Sequence, residues 1–226
     1  MTEPKDPATP RDRSRRRRVS TEPGADPVSG RTQVIEAAIA SIQEVGFYRS
    51  STNEIARRAN VSWGAVQYHF GTREALMVAV VEMLDQRFTV ALEAAHVEGD
   101  TPEARITSLY GILRKQYDTP AWFVRMQIVL NLQHDPDTSH EVNREIEDQA
   151  RRSEDTVRRL LHEAIGSDST REASEALFHA LRGYALSTQL ARGIPARGTR
   201  RRTEQATALF LRGLAGVEEI FGDGSA

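Results

Sequence analysis

The chain contains no cysteine, and that absence removes several kinds of chemistry at once. Disulfide bonds, thiolate catalysis, cysteine-ligated zinc and cysteine redox sensing are all excluded. No apolar run approaches the roughly 18 residues that a membrane-spanning helix needs. The charged N-terminus also lacks the apolar centre of a secretory signal. We therefore expect a soluble, cytoplasmic protein.

The net charge of −2 conceals an asymmetry along the chain. Residues 1–73 carry 12 Lys/Arg against 8 Asp/Glu, whereas residues 74–226 carry 18 against 24, and the segment 11–18 (RDRSRRRR) alone is +5. A basic front on an acidic body indicates that the front end meets a polyanion, although a solvated tail without a partner is the alternative. Residues 1–30 have almost no large apolar side chains, so we predict a disordered Arg-rich tail there.

From residue 31 onward, apolar residues return at steps of three and four, which is the period of an amphipathic helix. Alternating strand patterns and hairpin signals do not compete with it. The pattern predicts an all-α protein of about nine helices. We expect a three-helix domain over residues 31–76 and a larger helical domain over residues 77–226.

The first three predicted helices have the punctuation of a helix-turn-helix. Ser51 and Glu54, three residues apart, form a capping box that opens the second helix. Asn60 stands at the tight turn, where its tolerance of the left-handed conformation is needed, and Ser62 is the N-cap of the third helix. Residues 31–76 are therefore predicted to be a helix-turn-helix DNA-binding domain.

The third helix has an unusual outward face. Val66 and Phe70 fall on the inward side, which leaves small residues and polar aromatics outside. The small residues let the backbone approach the bases, and Gln67 can make a bidentate contact to adenine in the major groove. The predicted DNA-contacting residues are Thr52, Asn53, Ser62, Trp63, Gly64, Ala65, Gln67, Tyr68, His69 and Arg73. The alternative is that Trp63 and Tyr68 are half-buried surface aromatics, and Trp63 could either contact a thymine methyl group or fold back onto the core.

This segment resembles the TetR family of bacterial transcriptional regulators. The resemblance covers residues 31–76 and rests on Ile35–Ala38, Gly46-Phe47, Ser51-Thr52, Glu54-Ile55-Ala56, Ala59, Val61-Ser62, Gly64, Tyr68-His69-Phe70 and Arg73-Glu74-Ala75-Leu76. It implies that the first three helices bind DNA, that the remaining helices bind a ligand, and that the protein is a homodimer. The operator is then expected to be a near-palindrome, and repression relieved by a small-molecule effector is the usual mode.

The resemblance also assigns roles to single residues. It places Thr52, Tyr68, His69 and Arg73 at phosphates, and Asn53, Trp63, Gly64, Ala65 and Gln67 nearest the bases. Three positions depart from the family pattern. Asn60 replaces a usual Gly, Arg73 replaces a usual Lys, and Gln67 stands where Tyr is common, so the base preference of this chain is expected to differ from that of its relatives.

The C-terminal body offers candidates for an effector site and a dimer interface. The effector residues are predicted to be Tyr110, Tyr117, Trp122, Phe123, Met126, Gln127, Asn131 and His134. They carry little formal charge, so we expect a largely apolar, uncharged or weakly acidic effector, although many of them could simply be core. The dimer interface is predicted to include Leu177, Leu181, Tyr184, Phe210, Leu214 and Val217 in a four-helix bundle, the alternative being that they pack only within the monomer.

Two other classes of protein remain open at this level. An enzyme could use the polar cluster His134, Asp135, Asp137, His140 and Glu141, but its spacing matches no metal-ligand pattern and no cofactor motif occurs in the chain, so we predict no cofactor, no metal and no catalytic residue. A helical interaction protein could instead use the Arg tail to bind RNA, an acidic protein or a membrane. Such a protein would not need Gly64 and Gln67 on an exposed helix face.

Overall fold

The computed structural model describes residues 27–136, 138–165, 170–190 and 206–213, and these form eight helices, a short helical segment over 206–213 and no strand. The helices are α1 Pro27–Val45, α2 Thr52–Arg58, α3 Trp63–Phe70, α4 Arg73–Glu93, α5 Pro102–Tyr117, α6 Pro120–His134, α7 His140–Ile165 and α8 Thr170–Leu190. The all-α prediction is confirmed. Most of the predicted tail, together with Leu214 and Val217, lies outside the described residues.

The boundary between tail and first helix differs from the prediction, because α1 begins at Pro27 rather than near residue 31. Proline is favoured in the first turn of a helix, where its missing N–H has no partner to lose. The first turn of α1 contains Val28, Ser29 and Gly30, which carry little of the apolar periodicity that marks a helix in a sequence. The predicted start of the first helix, near residue 31, is therefore about one turn too late.

Hydroxyl side chains cap the starts of several helices. Ser51, Ser62 and Thr72 each accept a hydrogen bond from the backbone N–H three residues ahead, at 3.1–3.2 Å. Thr101 and Thr119 do the same at the starts of α5 and α6, where Pro102 and Pro120 follow. These bonds satisfy amide groups that a helix start leaves unpaired, and the predicted N-caps Ser51 and Ser62 are confirmed.

The turns between the first helices depend on left-handed backbone conformations. Asn60 has φ +51°, which makes it the non-glycine residue with positive φ among the described residues. Gly46, which ends α1, has φ +83°. Asn is one of the few side chains that adopts this region at modest cost, so it can stand at a turn that requires a positive φ.

Two apolar cores hold the molecule together, and the first one crosses the predicted boundary at residue 76. It joins buried residues of α1, α2 and α3 to the first half of α4 and to Val124, Ile128 and Leu132 of α6. The second core joins the end of α4 to α5, the C-terminal half of α7 and α8. Helices α1, α2 and α3 therefore share a continuous core with the body.

Helix α6 takes part in both halves of the structure. Its buried positions Val124 and Ile128 belong to the first core, whereas Trp122, near its start, packs against the second. Its mostly apolar sequence follows from this burial on several sides. Among the helices in the described part of the chain, none is both long and apolar enough to cross a membrane.

Candidate DNA-binding face and effector cavity

Helix α3 is short, is held in the core by one buried residue, and has a cap residue at each end. Val66 is only 2% exposed and belongs to the first core, with Phe70 packed beside it. Ser62 accepts the backbone N–H of Ala65 at 3.1 Å, and Gly71 ends the helix with φ +72°. The Arg31 guanidinium lies 5.3 Å from the centroid of the Phe70 ring, which closes the inner side against α1.

The outer side of α3 is exposed where the sequence predicted DNA contacts. Tyr68 is 83% exposed and Trp63 is 54% exposed, so Trp63 does not fold back into the core. Asn53, Ser62, Gly64 and Gln67 are exposed, whereas Thr52 and Ala65 are half-buried. These side chains lie on α2, the turn and α3.

Glycine at position 64 serves no purpose inside the protein. A Cβ atom added there would meet only the Ser62 Oγ, at an ordinary contact distance of 3.8 Å, and the position is exposed. Glycine weakens a helix interior by roughly 0.5–1 kcal/mol relative to alanine. A residue that costs stability without relieving an internal contact is expected where something external approaches the backbone closely.

His69 lies at the flank of α3 rather than on its outer face. The residue is half-buried, and a Cβ added at Gly30 of α1 would come 3.3 Å from its Nε2 atom. Its ring meets that of Tyr68 edge to face, with 5.3 Å between centroids. The start of α1 therefore lies close beside the imidazole.

Arg73 is turned toward the protein at the start of α4. Its Nη2 donates to the Phe47 carbonyl oxygen at 2.9 Å, and its guanidinium lies 4.2 Å from the centroid of the Phe47 ring. Burial lowers the pKa of Arg73 from its usual value. The geometry gives this arginine a structural role in holding the α1–α2 loop, and its contact with a phosphate stays a prediction.

The same loop carries an exposed aromatic that sequence reasoning missed. Tyr48, next to Phe47, is 86% exposed and lies between the two ends of the DNA-facing helices α1 and α2. Its ring meets the Phe47 ring edge to face, with centroids 5.7 Å apart. An aromatic with a polar tip beside a capped helix start is a further candidate for a phosphate contact. Only its exposure identifies it.

A cavity of about 170 Å³ opens within the body. Its wall is formed by Leu84, Asp85, Arg87, Phe88, Gln116, Tyr117, Thr119, Ala121, Trp122, Arg125, Ala150, Ser153, Glu154, Phe178 and Arg182. Of the eight residues predicted to line an effector site, Tyr117 and Trp122 lie in this wall. Their ring centroids are 5.4 Å apart, and Phe88 meets Tyr117 edge to face at 6.1 Å.

The other six predicted effector residues lie elsewhere. Tyr110 is buried in the second core, and Phe123 and Met126 are half-buried outside the cavity wall. Gln127 faces the DNA-binding domain, where its Oε1 accepts the Phe47 N–H at 3.3 Å, and Asn131 donates to the Gln127 carbonyl oxygen. The exposed ring of His134 lies 2.8 Å from the Leu130 carbonyl oxygen, one turn back on α6. One stripe of α6 cannot face the cavity along its whole length, because successive turns reach the first core.

Charged residues that the sequence did not single out line the cavity. Arg125 of α6 holds Asp85 of α4 through two bonds, with 3.0 Å between Nη2 and Oδ2, and Asp85 is only 8% exposed. Arg182 of α8 donates to Glu154 of α7 at 3.0 Å. Arg87 of α4 pairs with Glu36 of α1. The two partners of each pair lie on different helices, so no local spacing in the sequence predicts these pairs.

Tyr117 is the most perturbed ionisable group in the cavity wall. Burial raises the pKa of Tyr117 to about 12, and the nearby Arg182 and Arg125 guanidinium groups oppose that rise only in part. The phenol is therefore neutral at physiological pH. A neutral phenol that accepts a hydrogen bond from arginine keeps its own O–H as a donor.

The predicted dimer residues divide between the core and the surface. Leu177 and Leu181 are fully buried inside the protomer, Tyr184 is half-buried, and Phe210 packs against the second core. The large apolar side chains that α8 and segment 206–213 do expose are Leu186, Leu190 and Leu209. The reason is periodicity: the stripe that looked like surplus surface is the side that packs on α5 and α7.

The polar cluster considered for an enzyme forms no metal site within the described ranges, where no group of three or more His, Asp or Glu side chains is placed to hold an ion. His134, Asp135, His140 and Glu141 are all exposed, and Asp137 lies outside the described residues. The cluster is a polar connection between α6 and α7.

The family model described as bacterial regulatory proteins, tetR family, matches residues 34–80, which contain α2, α3 and the first turns of α4. This segment is therefore similar to the N-terminal domain of tetR-family regulators. The curated relatives of this chain include an HTH-type transcriptional regulator BetI 2 from Chromohalobacter salexigens, 34% identical over 88 residues, and a BetI from Pectobacterium atrosepticum, 33% identical over 88 residues. Each alignment covers 38% of this chain, which spans only 42% and 45% of those relatives.

Solved structures of similar fold cover much more of the chain. A transcriptional regulator from Rhodococcus sp. Rha1 matches with a TM-score of 0.61 and 20% identity, covering 81% of this chain and 95% of that one. The regulator FadR from Bacillus subtilis, solved in complex with stearoyl-CoA, matches with a TM-score of 0.59 and 17% identity, covering 81% and 97%. At these identities the likeness establishes the fold of the body and nothing about its ligand.

Proposed function

We propose that this TetR-family protein is a transcriptional regulator that binds a near-palindromic operator as a homodimer and is released by a small-molecule effector, acting as a repressor. The observation that carries the proposal is the exposed outer face of α3, held by one buried anchor inside a domain of the tetR type. Gln67 is exposed there beside Gly64 and Tyr68. In a dimer, two such helices would enter successive major grooves about 34–36 Å apart or at a longer groove-matched spacing.

The division of labour on this face follows from side-chain chemistry. Gln67 carries both a donor and an acceptor and can read adenine, and Gly64 admits the backbone to the bases. Tyr68 and His69 donate to phosphates, which fix position rather than sequence. Asn53 and Trp63 are exposed at the neighbouring helix starts and complete the base-facing set.

Release by an effector would travel through α4 and α6. Both helices line the cavity, through Asp85 and Arg125 among others, and both hold the α1–α2 loop. Arg73 of α4 binds the Phe47 carbonyl, and Gln127 of α6 binds the Phe47 N–H. An effector that fits better when these helices are displaced would move the DNA-facing domain, by its differential affinity for the two states and no more.

The dimer interface is proposed on the outer side of α8 and segment 206–213. Leu190 is 77% exposed and Leu209 is 69% exposed, and large apolar side chains at that exposure favour a partner surface. A self-complementary pairing of these helices would form a four-helix bundle.

Selection of bound fragments from genomic DNA, followed by fluorescence anisotropy on the selected site, tests the DNA-binding proposal. The expected result is a near-palindromic site bound far more tightly than random DNA. Equal affinity for both would remove the regulator and favour the helical interaction protein. Turnover of a substrate without sequence-selective DNA binding would favour an enzyme instead.

Light scattering on the full chain tests the dimer. Leu190→Glu is expected to convert a dimer to a monomer, because it places a charge in the apolar interface. The matched control is Leu130→Glu, which changes an exposed leucine of α6. Dissociation by both variants, or by neither, would place the interface elsewhere.

The Arg-rich segment 11–18 is proposed to add salt-sensitive affinity through phosphates or the minor groove. Removing residues 1–26, which precede α1, should lower the affinity for all DNA and flatten its dependence on salt. An unchanged salt dependence would make the segment a solvated tail.

A further inference from the structure

The cavity in the body has an apolar wall and a surplus of hydrogen-bond donors. Phe88, Tyr117, Trp122 and Phe178 supply aromatic surface on several sides. Against this wall stand three arginines, at positions 87, 125 and 182, but only two carboxylates, Asp85 and Glu154. A third carboxylate, Glu36, pairs with Arg87 from outside the lining, so the lining itself holds more guanidinium than carboxylate groups beside the aromatic rings.

Both carboxylates are already occupied by arginine. Asp85 accepts from Nε and Nη2 of Arg125, with 3.0 Å between Nη2 and Oδ2, and Glu154 accepts from Nη2 of Arg182 at 3.0 Å. An arginine has five N–H donors and no acceptor, so the bidentate pair with Asp85 leaves both N–H groups of the Arg125 Nη1 for another partner. A cationic ligand would meet carboxylates that already accept from arginine, whereas an anionic ligand can accept from the Arg125 N–H groups that Asp85 does not use.

A further donor comes from Tyr117. Burial keeps its phenol neutral, with a pKa raised to about 12. A neutral phenol has an O–H group that it can donate to a ligand. The polar groups left for a ligand are thus mostly donors, which calls for a ligand rich in acceptors.

We propose that the effector is a compact organic anion, an apolar or aromatic body bearing one carboxylate, whose carboxylate is bound by Arg125 beside Asp85 and whose body lies on the aromatic wall. This rests on the proposed function, since it names the ligand class of the same cavity. A volume of about 170 Å³ suits a single ring or a short branched chain. An apolar cavity of roughly 150 Å³ is known to hold benzene.

The anion also has a route to the DNA-facing helices. Arg87 lies in the cavity wall while pairing with Glu36 of α1. A carboxylate bound by Arg125 would also attract the positive charge of Arg87 and so weaken its pairing with Glu36, a contact between α1 and α4. The charge of the ligand, and not only its shape, would therefore affect the position of the DNA-binding domain.

Calorimetric titration of the full chain with three matched probes tests the ligand class. The probes are phenylacetate, phenylacetamide and phenethylamine, which share a ring and differ in charge. Phenylacetate is expected to bind at least roughly tenfold more tightly than the amide, because charge-assisted bonds are stronger than neutral ones, and the amine is expected to bind least. Equal or tighter binding of the amide or the amine, or no binding of phenylacetate at millimolar concentration, overturns the proposal.

Variants assign the preference to Arg125 without leaving a buried charge unpaired. The double variant Asp85→Asn/Arg125→Gln removes both partners and should erase the roughly tenfold preference for phenylacetate over phenylacetamide. The control is Arg151→Gln, an exposed arginine of α7 that pairs with Glu147 outside the cavity wall, and it should keep the preference. An intact preference in the double variant overturns the role of Arg125.

DNA binding is measured separately on the same proteins. If the chain selects no DNA sequence, the regulatory function fails while the three probes still decide the ligand class. If the chain binds its selected site but the amide binds best, the ligand class alone fails.

Discussion

The outer face of α3 comes from 8 consecutive residues, whereas the cavity wall is assembled from five helices between residues 84 and 182. The first surface depends on which side of one helix is buried, and a single anchor, Val66, decides that. The second depends on how α4, α5, α6, α7 and α8 cross. A site built from neighbouring residues is visible in the sequence, and a site built from distant ones is not.

The two surfaces also differ in their use of charge. The α3 face has no acidic or basic residue between Trp63 and Phe70 apart from His69. The cavity is lined by five charged side chains, and each arginine already has an acidic partner. The outer face of α3 leaves its polar groups free for a partner. In the cavity, by contrast, the arginines form ion pairs that link neighbouring helices.

Truncation of Ile128 should have the largest effect, because this fully buried α6 residue belongs to the core that both regions share. We expect Ile128→Ala to lower the free energy of unfolding by about 2–5 kcal/mol, measured by urea denaturation. Leu130→Ala, at an exposed position on the same helix, should stay within about 0.5 kcal/mol of the parent. Comparable losses in the two variants would argue against a shared core.

Substitution of Arg125 alone should have the second-largest effect. Arg125→Gln leaves the Asp85 carboxylate, 8% exposed, without its bidentate partner, and we expect a loss of about 3 kcal/mol in unfolding free energy. Adding Asp85→Asn should restore most of that loss, since neither charge is then stranded. Failure of the second change to restore stability would show that packing, and not the ion pair, is the main contribution at this point.

Gln67→Ala should affect DNA affinity rather than stability. We expect a loss of about 1–3 kcal/mol on the selected operator, with little change on random DNA, by fluorescence anisotropy. Gln86→Ala is the matched control, because Gln86 is exposed on α4, away from α3. Equal weakening on both kinds of DNA would contradict base reading by Gln67.

Two substitutions of Arg73 distinguish a phosphate contact from a structural role. Arg73→Ala should weaken binding to all sequences by about 1 kcal/mol and reduce the salt slope by roughly one phosphate contact. Arg73→Lys keeps the charge but loses the planar contact with the Phe47 ring. If the lysine variant retains the salt slope while its melting temperature falls, both roles are present; if its slope falls like that of alanine, the phosphate role is not supported.

The turn between α2 and α3 should give the smallest effect. Asn60→Ala places a less tolerant side chain at φ +51°, so we expect a loss of about 1 kcal/mol in unfolding free energy. Asn60→Gly, the residue usual in this family, should be close to neutral in thermal denaturation. A stable alanine variant would mean that the backbone relaxes out of the left-handed region.

The sequence by itself determined the helical class, the capped starts of α2 and α3, the left-handed turn at Asn60 and the inward side of α3. Each of these depends on residues within one or two helical turns of each other, where propensity and periodicity act directly. The tertiary structure alone decided that α6 serves two cores, that Leu177 and Leu181 point inward, and that three arginines meet two carboxylates across a cavity. Those outcomes depend on helix crossings between residues far apart in the chain, and a helical period says which side of a helix is apolar but not which neighbour covers it.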